Sequence, residues 1–309
     1  MDLLPNNNRE GFSPFGIFLL LLILLFLGSA IGSGLGFLLG MYMDYDLTES
    51  IASFNENSPA RERNFIRVVN LFNQLFTFTV PALILGYIVR RSEWPRFFLL
   101  HRSPGPAVYG AGVFFIFGVF LLSLTGYWLN QQLPLPDWAG SMEEGAARLT
   151  RGLLVMDSAG EFLLTLLVVA VLPAIGEELV FRGALQRQFR LSTGNPLLAI
   201  WLSALIFSAF HLQFAGVLPR MLLGAGLGYL YYWTRSLWVP IVAHFLVNGM
   251  QIIVTFVQRE EMAQPEELSF SPGATALGAG LVAVFSHYLY QHFQKNIKAA
   301  EKGASPEAS

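Results

Sequence analysis

The sequence predicts an all-α, polytopic integral membrane protein with about eight transmembrane helices. Of its 309 residues, 54% are hydrophobic and only 13% are charged, and the mean hydropathy is +0.51. Soluble globular proteins carry about 25% charged residues, so this chain has about half the usual share. Several apolar runs also reach the roughly 20 residues that a helix needs to cross the hydrocarbon core of a bilayer. Most of the chain is therefore expected to lie in a membrane.

Charge and cysteine content exclude several functions. The formal net charge of −2 gives no basis for nucleic-acid binding, so we expect no nucleic-acid partner. The chain contains no cysteine, which rules out disulfides, a thiolate nucleophile and cysteine-ligated metals. Any chemistry must therefore come from acids, histidines, amides or hydroxyl groups.

The first apolar run covers residues 15–43, after a polar segment 1–14. It is about twice as long as the hydrophobic region of a signal peptide, so we predict a retained transmembrane helix. Every fourth residue along one face is a glycine, namely Gly28, Gly32, Gly36 and Gly40. This repeated GxxxG pattern allows close approach of another helix. Packing inside the same chain is the favoured interpretation, and helix–helix self-association of two chains is the alternative.

Seven further spans follow along the chain. They are predicted at residues 65–89, 106–129, 161–187, 196–214, 215–233, 237–257 and 272–293. Pro81 is expected to kink the second span, because proline cannot donate the helical hydrogen bond. Residues 142–156 are expected to form a short amphipathic helix at the interface.

The spans group into regions. We predict an N-terminal transmembrane region over 15–158, a functional core over 159–257, an outer loop with the last helix over 258–298, and a disordered cytoplasmic tail over 299–309.

The loops differ in charge from one side of the predicted membrane to the other. Most basic residues follow the second, fourth, sixth and eighth spans: Arg90, Arg91, Arg96, Arg102, Arg187, Arg190, Arg235, Lys295, Lys298 and Lys302. Most acids follow the first, third and seventh spans: Asp44, Asp46, Glu49, Asp137, Glu143, Glu144, Glu260, Glu261, Glu266 and Glu267. Because Lys and Arg stay cytoplasmic, both termini are expected inside, with the protein in the cell's inner membrane.

The fourth span contains three charged residues within an apolar helix, Glu177, Glu178 and Arg182. Each ionised side chain at the middle of a membrane helix costs about 2.5–3.5 kcal/mol, so such groups are kept only when they pair or have a function. Glu178 and Arg182 are four residues apart, with the acid first, which favours an ion pair. Glu177 is rotated by about 100° from Glu178 and needs a separate explanation.

Two later spans each carry another polar pair on one helical face. These are Phe207 with His211, and His244 with Asn248, both at a spacing of four residues. One buried histidine is more often a satisfied core residue than a catalyst. Two histidines, an asparagine and a spare glutamate within about 70 residues are harder to explain separately, because buried polar groups need partners. We therefore predict that these helices converge on a polar cavity.

Such a cavity would contain the groups that peptide-bond hydrolysis requires. A desolvated carboxylate can act as a general base, and a histidine can share the water that it activates. A second histidine and an asparagine amide can donate to the developing oxyanion, where one lost donor costs about 2.7–4 kcal/mol. Serine catalysis is poorly supported, since Ser208 near His211 is not in a G-x-S-x-G motif.

Three motifs in order resemble one family. EELVFR (177–182), FSAFH (207–211) and HFLVN (244–248) match EExxxR, FxxxH and HxxxN/D of the CPBP family, the CAAX-protease and bacteriocin-processing intramembrane glutamic endopeptidases. The resemblance implies that Glu177 activates water and that His211 holds the same water. It assigns the oxyanion site to His244 and Asn248.

The resemblance also implies supporting roles and a substrate class. Glu178, Arg182 and Phe207 would support the site rather than react. The family precedent implies no cofactor and no metal, with a membrane-associated peptide or protein as the substrate in the lipid bilayer.

Two other functions remain open at this point. A zinc metalloprotease could use Glu177, Glu178, His211 and His244 as ligands, although there is no HExxH motif and Arg182 would compete for one acid. A transporter or membrane scaffold could use the same polar cluster to bind a partner. Transporters usually contain internal repeats, and no second copy of these motifs occurs in the sequence.

Overall fold

A computed structural model describes residues 12–134, 137–258 and 270–301. Within these ranges the chain is helical and contains no β-strand, as expected for an all-α membrane protein. Predictions for the N-terminal segment before residue 12, for loop residues 259–269 and for the tail after residue 301 lie outside the described residues.

The described residues form fourteen α-helical segments. In chain order these are α1 (Pro14–Met43), α2 (Leu47–Ser53), α3 (Ala60–Gln74), α4 (Val80–Arg90), α5 (Trp94–Phe97), α6 (Pro106–Gln131), α7 (Asp137–Leu154), α8 (Ala159–Thr165), α9 (Leu172–Glu178), α10 (Arg187–Thr193), α11 (Pro196–Ala209), α12 (Val217–Thr234), α13 (Trp238–Gln258) and α14 (Pro272–Glu301). Three π-helical segments, Leu75–Thr79, Leu166–Val171 and Leu179–Gln186, join successive helices without a loop.

Fewer helices than predicted satisfy the requirements for a membrane span. Five described stretches are long and apolar enough to cross a membrane: Pro14–Met43, Ala60–Phe97, Pro106–Gln131, Ala159–Thr193 and Trp238–Gln258. Helices also occur at the other three predicted positions, but they differ from the expectation of eight spans. The first of them, α11, has 14 residues, whereas α12 and α14 are long enough but are not among the apolar spans.

The predicted span 196–214 is too long because the helix ends at Ala209. Leu212 has a positive φ of 52°, a conformation that no α-helix contains, and a 3₁₀ turn follows at Phe214–Gly216. The chain therefore turns five residues earlier than its apolar pattern indicates.

The glycine face of α1 packs inside the chain. A Cβ atom at Gly28 would lie 1.9 Å from the Phe76 carbonyl oxygen, and one at Gly32 would lie 3.0 Å from the Phe72 carbonyl oxygen. Helix α1 thus lies directly against α3 and the π-helical segment after it, as the favoured interpretation expects. Self-association through this face stays a hypothesis, and it would require α3 to give up these contacts.

Helices from both halves of the chain enclose the segment that carries the charged motif. The main core cluster combines Leu85 of α4 and Phe98 with Val180, Phe181 and Leu185. A second cluster packs α6 against α12 and α13. Residues 177–186 therefore lie at the centre of the protein, surrounded by other helices rather than by lipid.

A buried ion cluster ties the N-terminal region to the start of this central segment. Glu161 at the beginning of α8 accepts hydrogen bonds from Arg63 Nε at 3.0 Å and from Arg67 Nη1 at 2.7 Å. Arg63 also pairs with Asp157. Arg63, Arg67 and Glu161 are buried, whereas the Asp157 side chain is 70% exposed and balances the second arginine from the solvent side.

Candidate active site

Glu178 connects two of the sequence motifs. Its side chain is fully buried, and its Oε1 accepts hydrogen bonds from Arg182 Nη1 at 2.7 Å and from His244 Nδ1 at 2.9 Å. The ion pair predicted from the spacing is therefore present. The contact with His244 comes from a helix 66 residues later and could not be read from local spacing.

Arg182 and Phe207 form the layer behind the site. Arg182 Nη2 donates to the Gly224 carbonyl oxygen at 2.9 Å, and its guanidinium lies 4.7 Å from the centroid of the Phe207 ring. The same ring meets His211 edge-on at 5.1 Å between centroids. These contacts give the Phe207 and Arg182 side chains little freedom, so they can hold the neighbouring groups in place.

The hydrogen bonds of His244 define its protonation state. A carboxylate only accepts, so His244 Nδ1 must carry the hydrogen that reaches Glu178. Asn248 Nδ2 lies 3.1 Å from the Val169 carbonyl oxygen and 3.2 Å from His244 Nε2. Because a carbonyl also only accepts, the amide nitrogen must face Val169, and Nε2 is then an acceptor. His244 is neutral in this arrangement, and both Asn248 amide hydrogens are engaged.

Glu177 has a different environment from its neighbour. It is 6% exposed, and in the part of the chain that the structure describes no group donates a hydrogen bond to its carboxylate. Its Oε2 lies 4.0 Å from His244 Nε2, which is too far for a hydrogen bond. Glu177 therefore has acceptor capacity to spare for a water molecule or a substrate.

His211 follows the end of α11. Its Nδ1 lies 2.9 Å from the Phe207 carbonyl oxygen, which can only accept, so the hydrogen is on Nδ1. This contact leaves Nε2 available for a further hydrogen bond. The end of the helix, rather than its apolar face, thus presents this histidine.

One cavity of about 510 Å³ brings the four predicted catalytic residues together. They are Glu177, His211, His244 and Asn248. The Phe207 ring lines the same cavity, whereas Glu178 and Arg182 lie behind it. This is the arrangement of reactive and supporting residues that the motifs imply, and the individual roles stay predictions.

Sequence reasoning missed several residues of the site. Asn70 and Gln74 of α3 and Arg220 of α12 also line the cavity. Asn70 and Gln74 are four residues apart, the same spacing as in the other pairs, although Asn73 lies between them. The Val169 and Gly224 carbonyls that fix Asn248 and Arg182 have no sequence signature, because every residue carries a carbonyl group.

The geometry gives no support to the zinc alternative. Among the described residues, no group of three or more His, Asp or Glu side chains is placed to hold a metal ion. Glu178, one of the four ligands of that hypothesis, is instead bonded to Arg182 and His244.

Fold and site together define a class: an all-α polytopic membrane protein with a buried acid–histidine–amide cluster around an internal cavity. Comparison with known families specifies it further. Residues 159–250 match the family model described as type II CAAX prenyl endopeptidase Rce1-like. The matched segment contains all three motifs, so the match supports their resemblance to the CPBP, or CAAX-protease, family.

Two curated relatives match at low identity. The uncharacterized protein YpbD of Bacillus subtilis is 29% identical over 103 residues, which cover 31% of this chain and 50% of that protein. The membrane-embedded CAAX protease MroQ of Staphylococcus aureus is 30% identical over 104 residues, 32% of this chain and 42% of that protein. The chain thus spans half or less of the length of these curated relatives. No solved structure matches it.

Proposed function

We propose that this protein is an intramembrane endopeptidase that hydrolyses a peptide bond of a membrane-associated substrate with a water molecule activated by Glu177. One observation carries the proposal. Glu177 is a buried carboxylate without a hydrogen-bond donor among the described residues, and it shares one cavity with His211, His244 and Asn248. The match of residues 159–250 to a CAAX prenyl endopeptidase family model supports protease activity, and the glutamate mechanism is our inference.

The first step is water activation. A water molecule in the cavity would be held by the carboxylate of Glu177 and by His211 Nε2, which is available for a further hydrogen bond. Glu177 takes one proton of this water as its oxygen attacks the scissile carbonyl carbon. A carboxylate that accepts few hydrogen bonds is the better base, because none of its lone pairs is already committed.

The second step is stabilisation of the tetrahedral oxyanion. Asn248 directs one amide hydrogen at His244 Nε2 on the cavity side, and the other is fixed on Val169. An oxyanion that forms beside His244 can compete for the first of these hydrogens, whereas the second keeps the amide in position. Glu178 holds the His244 ring from the opposite side.

The last step breaks the C–N bond. Glu177 returns the proton that it took from water to the leaving nitrogen, and the carboxyl product keeps the water oxygen. Glu178 and Arg182 neutralise each other throughout, so their ion pair needs no rearrangement. The cavity lies among helices in a membrane protein, which favours a peptide that is itself embedded in or anchored to the bilayer.

The test uses the purified protein in detergent with excess chelator. Peptides extracted from membranes of cells that lack the protein serve as substrate, and mass spectrometry of new termini measures cleavage. Glu177→Gln should lower cleavage by about 10² or more, the usual scale for loss of a general base. Its thermal unfolding should match or exceed the wild type, because a neutral amide is easier to bury than a carboxylate. Glu144→Gln, on an exposed part of α7, is the matched control and should cleave normally.

Three results would contradict the proposal. Substantial cleavage by Glu177→Gln would remove the glutamate mechanism. Loss of wild-type cleavage in chelator, with recovery on adding zinc, would favour the zinc alternative. Absence of any cleavage by folded wild-type protein would favour the transporter or scaffold.

A further inference from the structure

Arg220 lies on α12 and lines the same cavity as Glu177 and His211. Its two terminal nitrogens donate to one residue: Nη1 to Gln213 Oε1 at 2.6 Å, and Nη2 to the Gln213 carbonyl oxygen. Both acceptors are neutral. Arg220 Nε is buried, and no described residue accepts a hydrogen bond from it. The direct hydrogen bonds of this cation are thus to neutral groups, at the wall of the cavity that contains Glu177 and His211.

Three buried arginines of the protein have a direct counter-charge. Arg63, Arg67 and Arg182 each contact a carboxylate oxygen at 2.7–3.0 Å. In the described ranges, no acid forms an ion pair with Arg220. The acid with the largest electrostatic effect on it is Glu143 of α7, whose carboxylate accepts the Ala215 backbone N–H at 3.2 Å. Arg220 therefore lacks the direct counter-charge that partly buried cations normally have.

The local backbone leaves room for the guanidinium. A Cβ atom at Gly216 would lie 2.5 Å from Arg220 Cζ, so only glycine lets the head group rest against this turn. The 3₁₀ turn Phe214–Gly216 and the Gln213 carbonyl thus form a cradle that holds the charge at the cavity wall. A planar guanidinium presents several N–H donors in a fixed fork, which suits it to bind a carboxylate.

We propose that Arg220 is a substrate-binding residue that takes a carboxylate group of the peptide. This rests on the proposed function, and it adds a recognition element outside the three motifs. The carboxylate is either the C-terminal α-carboxylate or the side chain of an Asp or Glu. Because Arg220 and Glu177 line one cavity, a bound carboxylate would fix the distance between the anionic group and the cleaved bond.

Binding to the full-length chain carrying Glu177→Gln tests the proposal without cleavage. Three N-lauroyl tetrapeptides serve as probes. The first has uncharged side chains and a free C-terminal carboxylate, the second is the same peptide with an amidated, uncharged C-terminus, and the third is amidated and contains one Asp. Their Kd values follow from the ligand dependence of thermal unfolding. We expect at least one carboxylate probe to bind about 10–100-fold tighter than the neutral amide, as for a charge-assisted hydrogen bond. Which probe gains identifies the source of the carboxylate.

Further substitutions in the Glu177→Gln protein test whether Arg220 causes the tighter binding of carboxylate probes. Arg220→Gln should reduce the ratio between carboxylate and amide probes to about one. Arg96→Gln removes an exposed positive charge elsewhere and should keep the ratio. Gly216→Ala retains the charge but displaces the guanidinium, so it should also lower the ratio, and Arg220→Lys should retain part of it. If Arg220→Gln does not fold, Gly216→Ala and Arg220→Lys still test whether the guanidinium binds the carboxylate.

Two outcomes would overturn the proposal: equal binding of all three probes, or a ratio unchanged by both Arg220→Gln and Gly216→Ala. If carboxylate probes bind tighter but the wild type cleaves nothing, the carboxylate site is supported and the hydrolytic function is contradicted. If the wild type cleaves peptides but binds all probes equally, the hydrolytic function is supported and the carboxylate site is contradicted.

Discussion

Glu177 and Glu178 are adjacent in sequence, yet their carboxylates have opposite surroundings. Glu178 is bonded to Arg182 and His244 behind the cavity wall, whereas Glu177 faces the cavity. The π-helical segment that starts at Leu179 does not disturb the ion pair with Arg182. The carboxylate of Glu178 is thereby engaged by two donors, whereas that of Glu177 has acceptor capacity to spare.

Glu178→Gln should strongly destabilise the protein. The substitution leaves Arg182 without a counter-charge and weakens the bond that orients His244. Breaking one side of a buried ion pair costs about 3–5 kcal/mol. Abundance and the thermal unfolding midpoint in detergent should both fall well below those of Glu177→Gln, which is the matched control. A stable but inactive Glu178→Gln protein would show that Glu178 acts in the reaction itself.

Asn248→Ala should lower turnover more than substrate affinity. Its amide nitrogen donates to the Val169 carbonyl oxygen and to His244 Nε2, and we expect it to reach the oxyanion only in the transition state. Removing one such donor typically costs 10²–10³ in kcat. Steady-state kinetics on a cleaved peptide should show reduced kcat with nearly unchanged KM. A raised KM at normal kcat would instead assign Asn248 to ground-state binding.

Local spacing was sufficient to predict two of the three polar pairs. The pairs at 178/182 and 244/248 follow directly from the helical repeat, whereas His211 lies beyond the end of α11 at Ala209. The contact between Glu178 and His244 depends on how α9 packs against α13, and Arg220 reaches the site from a helix with no recognised motif. Such contacts arise from tertiary packing, which a local pattern does not encode.

The positions of the helices were predicted better than their exact ends and their π-helical interruptions. Helices occur at every predicted span, but α3 begins at Ala60 and the predicted span 196–214 ends at Ala209. A π-helical segment precedes Pro81, where a simple kink was expected. Apolar composition is almost the same on both sides of such irregularities, so hydropathy cannot locate them.

Glycines on α1 provide a test of helix packing. Gly28→Ala should destabilise the protein by about 1–3 kcal/mol, because its Cβ would overlap the Phe76 carbonyl oxygen and force α1 away. Gly34 is on the exposed face of the same helix, with nothing within 4 Å of a new Cβ. Gly34→Ala should therefore be neutral or stabilising by up to about 1 kcal/mol. Equal thermal unfolding midpoints for the two variants would contradict the packing of α1 on α3.

At the scale of the whole molecule, the N-terminal region contributes to the site although the family match begins at residue 159. Asn70 and Gln74 line the cavity, and Arg63 and Arg67 hold Glu161 at the start of the matched segment. The first helices therefore complete the cavity wall, and we expect the matched segment to need them for folding.

Contacts at the two ends of α1 place the predicted cytoplasmic loops and the predicted outer loops on opposite sides of the protein, without any use of their charge. Near the beginning of α1, the rings of Phe18 and Phe189 are 6.1 Å apart, so α10 lies at this end. At the other end, Arg61 Nη2 donates to the Met43 carbonyl oxygen at 3.4 Å. Helix α1 has 30 residues and is about 45 Å long, enough to separate these ends by a bilayer.

Orientation follows once charge is added to this geometry. The end near α10 carries the arginine-rich loops, whereas Arg63 and Arg151 at the opposite end pair with Asp157 and Glu56. Because Lys and Arg near span ends stay cytoplasmic, we predict that the α10 end faces the cytoplasm and the α2–α3 loop faces outward.

Single-cysteine labelling measures this orientation. The chain has no cysteine, so Asn57→Cys and Ser192→Cys each introduce one thiol, both at exposed positions. In intact cells a membrane-impermeant maleimide should label Asn57→Cys and leave Ser192→Cys unmodified. After permeabilisation both should react, which controls for the accessibility of Ser192→Cys. Labelling of Ser192→Cys alone in intact cells would invert the topology and place the α10 end outside. Labelling of both positions in intact cells would mean that α1 does not span the bilayer.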